Sequence, residues 1–213
     1  MPPTLRTPRL LLDAYTPEDE ESFVALFQDP RVSRWMGDGP APEAEHRALF
    51  GRIFSKVYAR DLFDVWAVRR GRLLVGHAEI KRTEEAGGHE IVYALAPEVW
   101  GSGLGTELAD ALARHGFETL ALTEVHATVD AENTASLRLL GRIGFEHVRD
   151  VVEDDGGLTR VLTRRPRCSA SGNTTGAGQN TRHGVLAAPR REGARARVPL
   201  RCVCRRRSPP WDE

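Results

Sequence analysis

Residues 1–165 contain no cysteine; Cys168, Cys202 and Cys204 all lie beyond them. That part of the chain therefore has no disulfide framework and no thiol nucleophile for an acyl-enzyme. The three cysteines with His183 make no zinc spacing, and none of His46, His77, His89, His115, His126 and His147 has a partner at ligand spacing, so no metal is assigned. Also missing is any apolar run long enough for a signal peptide or a membrane span. A soluble cytoplasmic protein without a membrane partner is the expectation. Lysine is almost absent, two residues against 28 arginines. The net charge of zero hides a split: residues 166–213 hold ten of the 30 basic groups and three of the 30 acidic ones, leaving the tail near +7 and the front near −7.

What is present is glycine, concentrated at Val99-Trp100-Gly101-Ser102-Gly103-Leu104-Gly105-Thr106-Glu107-Leu108. Glu90 to Leu95 reads as a strand that Ala96-Pro97 ends, and Leu104, Leu108, Ala111, Leu112 and His115 recur at helical spacing afterwards. The glycines thus open a helix, whose first N–H groups have no intrahelical acceptor and sit at the positive end of the macrodipole. Phosphate or pyrophosphate is their natural partner, and missing side chains let the backbone close on it. On these residues alone, a glycine-rich corner explains the pattern as well. The dinucleotide-fold version fits poorly, because Thr106 stands where a third small residue belongs and Glu124 begins the next strand instead of ending it.

A second cluster downstream, Asn133-Thr-Ala-Ser136-Leu-Arg-Leu-Leu140-Gly-Arg-Ile-Gly144-Phe145, changes the balance. Together the two clusters resemble the GNAT superfamily of acetyl-CoA-dependent N-acetyltransferases. The phosphate-loop pattern of that superfamily, Arg or Gln followed at three and five residues by Gly and Gly or Ala, matches Gly103 and Gly105, with Trp100 at the first position. Trp100-Gly101, Thr7-Pro8-Arg9-Leu10, Thr16-Pro17-Glu18-Asp19 and Asp29-Pro30-Arg31-Val32 resemble the branch related to ribosomal-protein N-terminal acetyltransferases. The likeness covers roughly residues 4 to 165.

The order of elements agrees with it. Leu5 to Tyr15 reads as one strand; Thr16 caps a helix with Pro17 first, an apolar stripe of Phe23, Leu26 and Phe27, and a stop at Asp29-Pro30. Trp35 to Pro40 is a loop, and Leu49, Ile53 and Val57 mark one helix from about Ala41 to Tyr58 with Gly51 as its weak point. Strands follow at Phe63 to Val68, Leu73 to Lys81 and Glu90 to Leu95 as an antiparallel meander. Then come a helix to about Thr119, a strand at Glu124 to Val129, a helix at Asn133 to Ile143, and strands at Phe145 to Val152 and Leu158 to Thr163. The fold expected is α/β of the mixed α+β kind: a central, mostly antiparallel GNAT-like sheet flanked by helices. One parallel crossover joins the third meander strand to the Glu124 strand.

The resemblance also distributes roles. Gly101, Ser102, Gly103, Leu104, Gly105 and Thr106, with Trp100, would hold the pyrophosphate of acetyl-CoA. Leu95 and Ala96 stand where the pantetheine arm lies beside a splayed strand, and a free N–H there would also stabilise a developing oxyanion. Asn133 is the pantetheine-binding amide or a helix cap, or both. Many members carry a tyrosine that protonates the departing thiolate, at the position where this chain has Leu140. Ser136, one turn earlier, is the hydroxyl available, or a local cap. Glu90 is the candidate acceptor of the amine proton or an exposed strand carboxylate, with Glu79 and His77 as weaker alternatives. Arg138 and Arg142 meet phosphates or simply face water. Trp35 and Met36 shape the acceptor pocket or pack in the core.

Residues 1–165 are therefore read as an N-acetyltransferase domain that moves an acetyl group from acetyl-CoA to a primary amine, a protein N-terminus or a small molecule, by direct attack in a ternary complex; a homodimer is compatible with this. A catalytically silent acyl-CoA-binding module is the alternative. Residues 166–213 are polar, glycine-rich and then arginine-rich, a composition expected to stay disordered. They read as a mis-framed extension, or as a basic arm that would bring nucleic acid in as a partner.

Overall fold

The structure, a computed structural model, describes residues 1–36, 39–84, 86–153 and 156–166. Gly37 and Asp38 of the expected loop, and the expected tail from residue 167 on, lie outside the described residues. Leu5 to Tyr15, expected as one strand, is a hairpin of two: β1 (Leu5–Arg6) and β2 (Leu11–Asp13), with Leu5 opposite Leu12. Pro8 has no N–H for a ladder, and Thr7 closes the turn, its Oγ1 accepting the Leu10 N–H at 2.9 Å.

A 3₁₀ turn at Pro17–Asp19 leads into α1 (Glu20–Gln28), with the Asp19 carboxylate accepting the Thr16 N–H at 2.9 Å. Asp29-Pro30 ends α1 as expected, but it also opens a short helix, α2 (Pro30–Ser33), in which Asp29 Oδ1 accepts the Arg31 N–H at 2.9 Å. The helix expected from Ala41 to Tyr58 is α3 (Glu43–Arg52) continued by a π-helical turn, Ile53–Tyr58. Ser55 Oγ donates to the Gly51 carbonyl at 2.9 Å at the changeover, a side-chain bond that competes with the helical ladder. The wide turn still leaves Ile53 and Val57 buried.

The remaining elements follow the expected order: β3 (Asp64–Arg70), β4 (Leu73–Thr83), β5 (Gly88–Leu95), α4 (Leu104–Glu118), β6 (Val125–Asp130), α5 (Thr134–Arg142), β7 (Glu146–Val152) and β8 (Leu158–Arg164). The strands form one sheet in the order β1-β2-β3-β4-β5-β6-β8-β7. Every neighbouring pair is antiparallel except β5 and β6, which are parallel and register at a single pair, Glu90 with His126. Beyond that pair the two strands part.

Strand alternation sends side chains to two separate cores. On one face Ile91 and Leu95 join Leu12, Trp66, Ile80, Leu104, Leu108, Leu112 and Leu140, under α4 and α5. On the other, Val65, Ala67 and Ala94 meet Tyr15, Phe23, Phe27, Phe50 and Val57, under α1 and α3. Leu108 and Leu112 are fully buried, so truncating either to alanine costs about 2–5 kcal/mol. Leu140 is likewise fully buried and faces the core.

Candidate active site

The glycine turn is built by backbone conformation. After a 3₁₀ turn at Pro97–Val99, Gly101 (φ 71°) and Gly103 (φ 80°) both adopt left-handed geometry, and Gly103 is the N-cap of α4. Having no side chain, Gly103 leaves the N–H groups of Leu104, Gly105 and Thr106 uncapped at the positive end of a 15-residue helix. A side chain at Gly105 would meet Leu139 Cδ1 at 2.7 Å, so α4 and α5 approach closely at the turn.

Arg9 and Glu107 hold this turn, and the sequence reading gave neither a role. Arg9 donates from Nη1 to the Ser102 carbonyl at 2.8 Å, and from Nε and its backbone N–H to the Glu107 carboxylate at 2.7 and 2.8 Å. Thr7 Oγ1 donates to the same carboxylate. In the sequence Arg9 belongs to the Thr7-Pro8-Arg9-Leu10 run that resembles the ribosomal-protein branch, and Glu107 to the Val99 to Leu108 stretch.

Where β5 and β6 part, a cavity of about 730 Å³ opens, within the usual range for a small-molecule site. It runs from the turn (Trp100, Gly101, Gly103, Gly105, Thr106) through the gap to Glu90, with Asn133, Ser136, Arg138 and Arg142 of the α5 end on one side and Trp35 and Met36 on the other. Leu95 lines it as well, and its carbonyl accepts from Trp100 Nε1 at 2.7 Å. Asn133 caps α5, its Oδ1 accepting the Ser136 N–H at 3.2 Å, which leaves the amide nitrogen outside the cap. The Arg34 guanidinium lies 4.2 Å from the centre of the Trp35 ring.

The side chains of Ser102, Leu104 and Ala96 do not line the cavity. Leu104 points its side chain into the core and the Ser102 hydroxyl donates to the Val99 carbonyl, whereas the part expected of both at the cofactor is that of their backbone N–H groups in the turn and at the uncapped start of α4. Ala96 spends its N–H on the Val75 carbonyl at 2.8 Å, so of the two residues expected to offer a free amide, Leu95 and Ala96, the second does not. The register explains it. Ala96 opposite Val75 is a bonded position of the β4–β5 ladder, and alternation turns the amides of Leu95 and Tyr93 the other way, toward the gap.

Glu90 is 7% exposed; its Oε2 accepts from Thr128 Oγ1 of β6 at 3.0 Å, and Lys81 is its cross-strand neighbour on β4. Glu79 and His77, the weaker alternatives, are tied up. Tyr15 Oη and His77 Nδ1 are 2.9 Å apart, His77 Nε2 and Glu79 Oε1 3.0 Å, and Lys81 Nζ and Glu79 Oε2 2.7 Å. Burial would push the Glu79 carboxyl up, but Lys81 and His77 outweigh it and hold it at about 2, which makes it a poor proton acceptor near neutrality. Tyr93, unremarked within the Glu90 to Leu95 run, lines the cavity beside Ser136, and burial pushes its phenol up to about 12.

A sheet with one parallel, parting pair, a helix whose glycine-capped start faces the gap, and a cavity between them define the fold of the acetyl-CoA-dependent acyltransferases. The Acetyltransferase (GNAT) domain family matches residues 9–146, and the chain belongs to that family. It is 31% identical over 150 residues, 68% of this chain and 83% of the relative, to YoaA of Bacillus subtilis, described as an uncharacterized N-acetyltransferase. The spermidine N-acetyltransferase of Vibrio cholerae, solved with CoA and spermine, superposes with a TM-score of 0.65 at 17% identity over 75% of this chain and 96% of that one. The ribosomal L7/L12 alpha-N-protein acetyltransferase RimL, solved with coenzyme A, gives 0.64 at 14% identity over 76% and 98%.

Proposed function

We propose that the protein acetylates a primary amine, with the acetyl-CoA and the acceptor bound together and the amine attacking the thioester directly. The observation that carries this reading is the continuity of the cavity, from the uncapped N–H groups of α4, through the gap between β5 and β6, to Glu90 on the other face of the sheet. Residues present fit the cofactor. The backbone of Gly101 to Thr106 takes the pyrophosphate, with Arg138 and Arg142 as flanking cations. Asn133 and the amides of Leu95 and Tyr93 meet the pantetheine arm, and an amide in the gap faces charge developing on the thioester oxygen. Acetyl-CoA supplies the activated acyl group. Glu90 accepts the amine proton, directly or through water, and Ser136 lies on the leaving-group side.

The acceptor side is apolar: Val32, Trp35, Met36, Val92 and Ala94 line it. A polyamine such as the spermine bound by the Vibrio cholerae enzyme calls for several carboxylates, and among the described residues this cavity offers Glu90 and Asp130 against Lys81, Arg138 and Arg142. An amine carrying an apolar group, either a peptide N-terminus or a small molecule, suits the wall better. Mass spectrometry of amine and N-terminal peptide libraries incubated with acetyl-CoA tests this. Acetylated apolar amines are expected; preferential acetylation of polyamines overturns the acceptor class. CoA binding without turnover over the whole panel selects the silent module.

A further inference from the structure

We propose that the Tyr93 hydroxyl donates a hydrogen bond to the sulfur of the bound thioester and so holds the charge of the departing thiolate. The inference rests on the cofactor placement above and deepens it. Tyr93 stands on β5, and its ring packs with the α4–α5 core. The hydroxyl is enclosed in the wall of the cavity and makes no hydrogen bond of its own. The Ser136 side chain lies beside it and acts on its titration against burial, but no hydrogen bond joins the two hydroxyls. A buried hydroxyl left unpaired is rare in a folded protein unless a ligand supplies the partner.

The kind of partner follows from protonation. Desolvation keeps the phenol protonated far above neutral pH, so Tyr93 presents a donor and never a base, and it selects an acceptor atom. Position along the strand narrows the acceptor further. An extended arm entering at the glycine turn runs back along β5 past Leu95, so Tyr93 meets its reactive end rather than its phosphates. Alternation puts Tyr93 and Glu90 on opposite faces of the sheet, with the parted strands between them. The amine nitrogen bonds to the thioester carbon from the Glu90 side and loses its proton there. The carbon–sulfur bond breaks with its electron pair going to sulfur on the Tyr93 side. The phenol shares its hydrogen with that sulfur without ionising, and the thiolate takes its proton from water on leaving. Leu140 is buried in the core and supplies no hydroxyl for this task.

Tyr93→Phe removes one oxygen and keeps the ring, and calorimetry with CoA and with desulfo-CoA, which lacks the thiol sulfur, reads the contact without turnover. At a pH where the thiol ionises, the variant is expected to bind CoA about tenfold or more weakly than the wild type, the effect of one hydrogen bond to a charged group. Desulfo-CoA should bind both proteins alike. Ultraviolet titration of bound CoA should show its thiol ionising at lower pH in the wild type than in the variant. An equal loss for CoA and desulfo-CoA, or no loss for either, overturns the proposal. A wild-type protein that binds neither ligand overturns the cofactor placement itself. Ser136→Ala serves as a second variant: its bound thiol should still ionise below that of Tyr93→Phe, and the reverse order would transfer the role to Ser136.

Discussion

Replacing Glu90 with glutamine separates proton acceptance from shape. The carboxylate is enclosed, and its Oε2 accepts from Thr128 Oγ1 at 3.0 Å; a glutamine carbonyl oxygen can accept the same bond, so the strands at the mouth of the gap should keep their spacing. What disappears is the proposed proton acceptor. General-base assistance contributes about 10²–10⁴-fold, equivalent to roughly 3–5.5 kcal/mol in the barrier at 1.36 kcal/mol per decade. Turnover of Glu90→Gln at neutral pH should therefore fall by about that factor. CoA affinity measured by calorimetry should not change, because the α4 N–H groups proposed to take the phosphates lie at the far end of the cavity. Raising the pH should narrow the gap between variant and wild type, since more of the free amine then arrives neutral. Steady-state kinetics across pH with a saturating amine decides the matter. Near-wild-type turnover at neutral pH, or a defect of the same size at every pH, would refute Glu90 as the proton acceptor.

Gly103→Val should weaken CoA binding by at least about tenfold, and the cause is conformational. A Cβ there meets only Arg9 Nη2 at an ordinary 3.5 Å, but φ of 80° strains a branched residue by about 1–3 kcal/mol and so turns the N–H groups of α4 away; unchanged affinity in a folded variant removes the phosphate-turn assignment. Glu79 is held at about 2 in the fold, below its ordinary value near 4.3, by Lys81 and His77 against its own burial. The stability it contributes is therefore complete above the ordinary value and lost as pH falls toward 2, so melting temperatures should drop through that window in the wild type and less steeply in Glu79→Gln. A chain ending at Arg165 should melt at the same temperature and keep its activity; a clear fall in either shows that residues beyond it contribute to the domain.

Much of this architecture is legible in the sequence because strand alternation and helical stripes are local. The meander, the crossover helix and the last two strands stand within a few residues of their expected bounds. What escaped depends on partners far along the chain. Leu10-Leu11-Leu12 looks like the middle of one strand, and only Pro8 and the Thr7 turn break it into a hairpin. The side toward which an amide on β5 points follows from its register against β4, so Ala96 cannot be told from Leu95 by sequence alone. Arg9 and Glu107 lie 98 positions apart, and nothing in either segment announces the other. Tyr93 was hidden by its company: in an apolar strand a tyrosine reads as packing, and only its surroundings show a hydroxyl that is buried without a hydrogen bond.

The gap between β5 and β6 ties these particulars together. β6 is fully registered with β8 from Val125 to Asp130 on one side but meets β5 at one pair on the other. Past that pair, the gap-facing amides of Tyr93 and Leu95 look toward a strand that has moved away. Enclosed backbone donors left without acceptors are destabilising, by about 1–3 kcal/mol each where water is excluded. An extended ligand carrying its own amides can restore those bonds as a missing strand would, which is the recognition logic of strand addition. The same departure of β6 opens the sheet from one face to the other, and a plain β-sheet does not permit that. On the proposed cofactor placement, it lets a ligand anchored at the α4 terminus present its far end to Glu90. Closing the gap by continuing the β5–β6 ladder would satisfy the backbone and remove the proposed site, so the parted edge is a local loss of stability that the other ladders of the sheet, each registered over two residues or more, are able to carry.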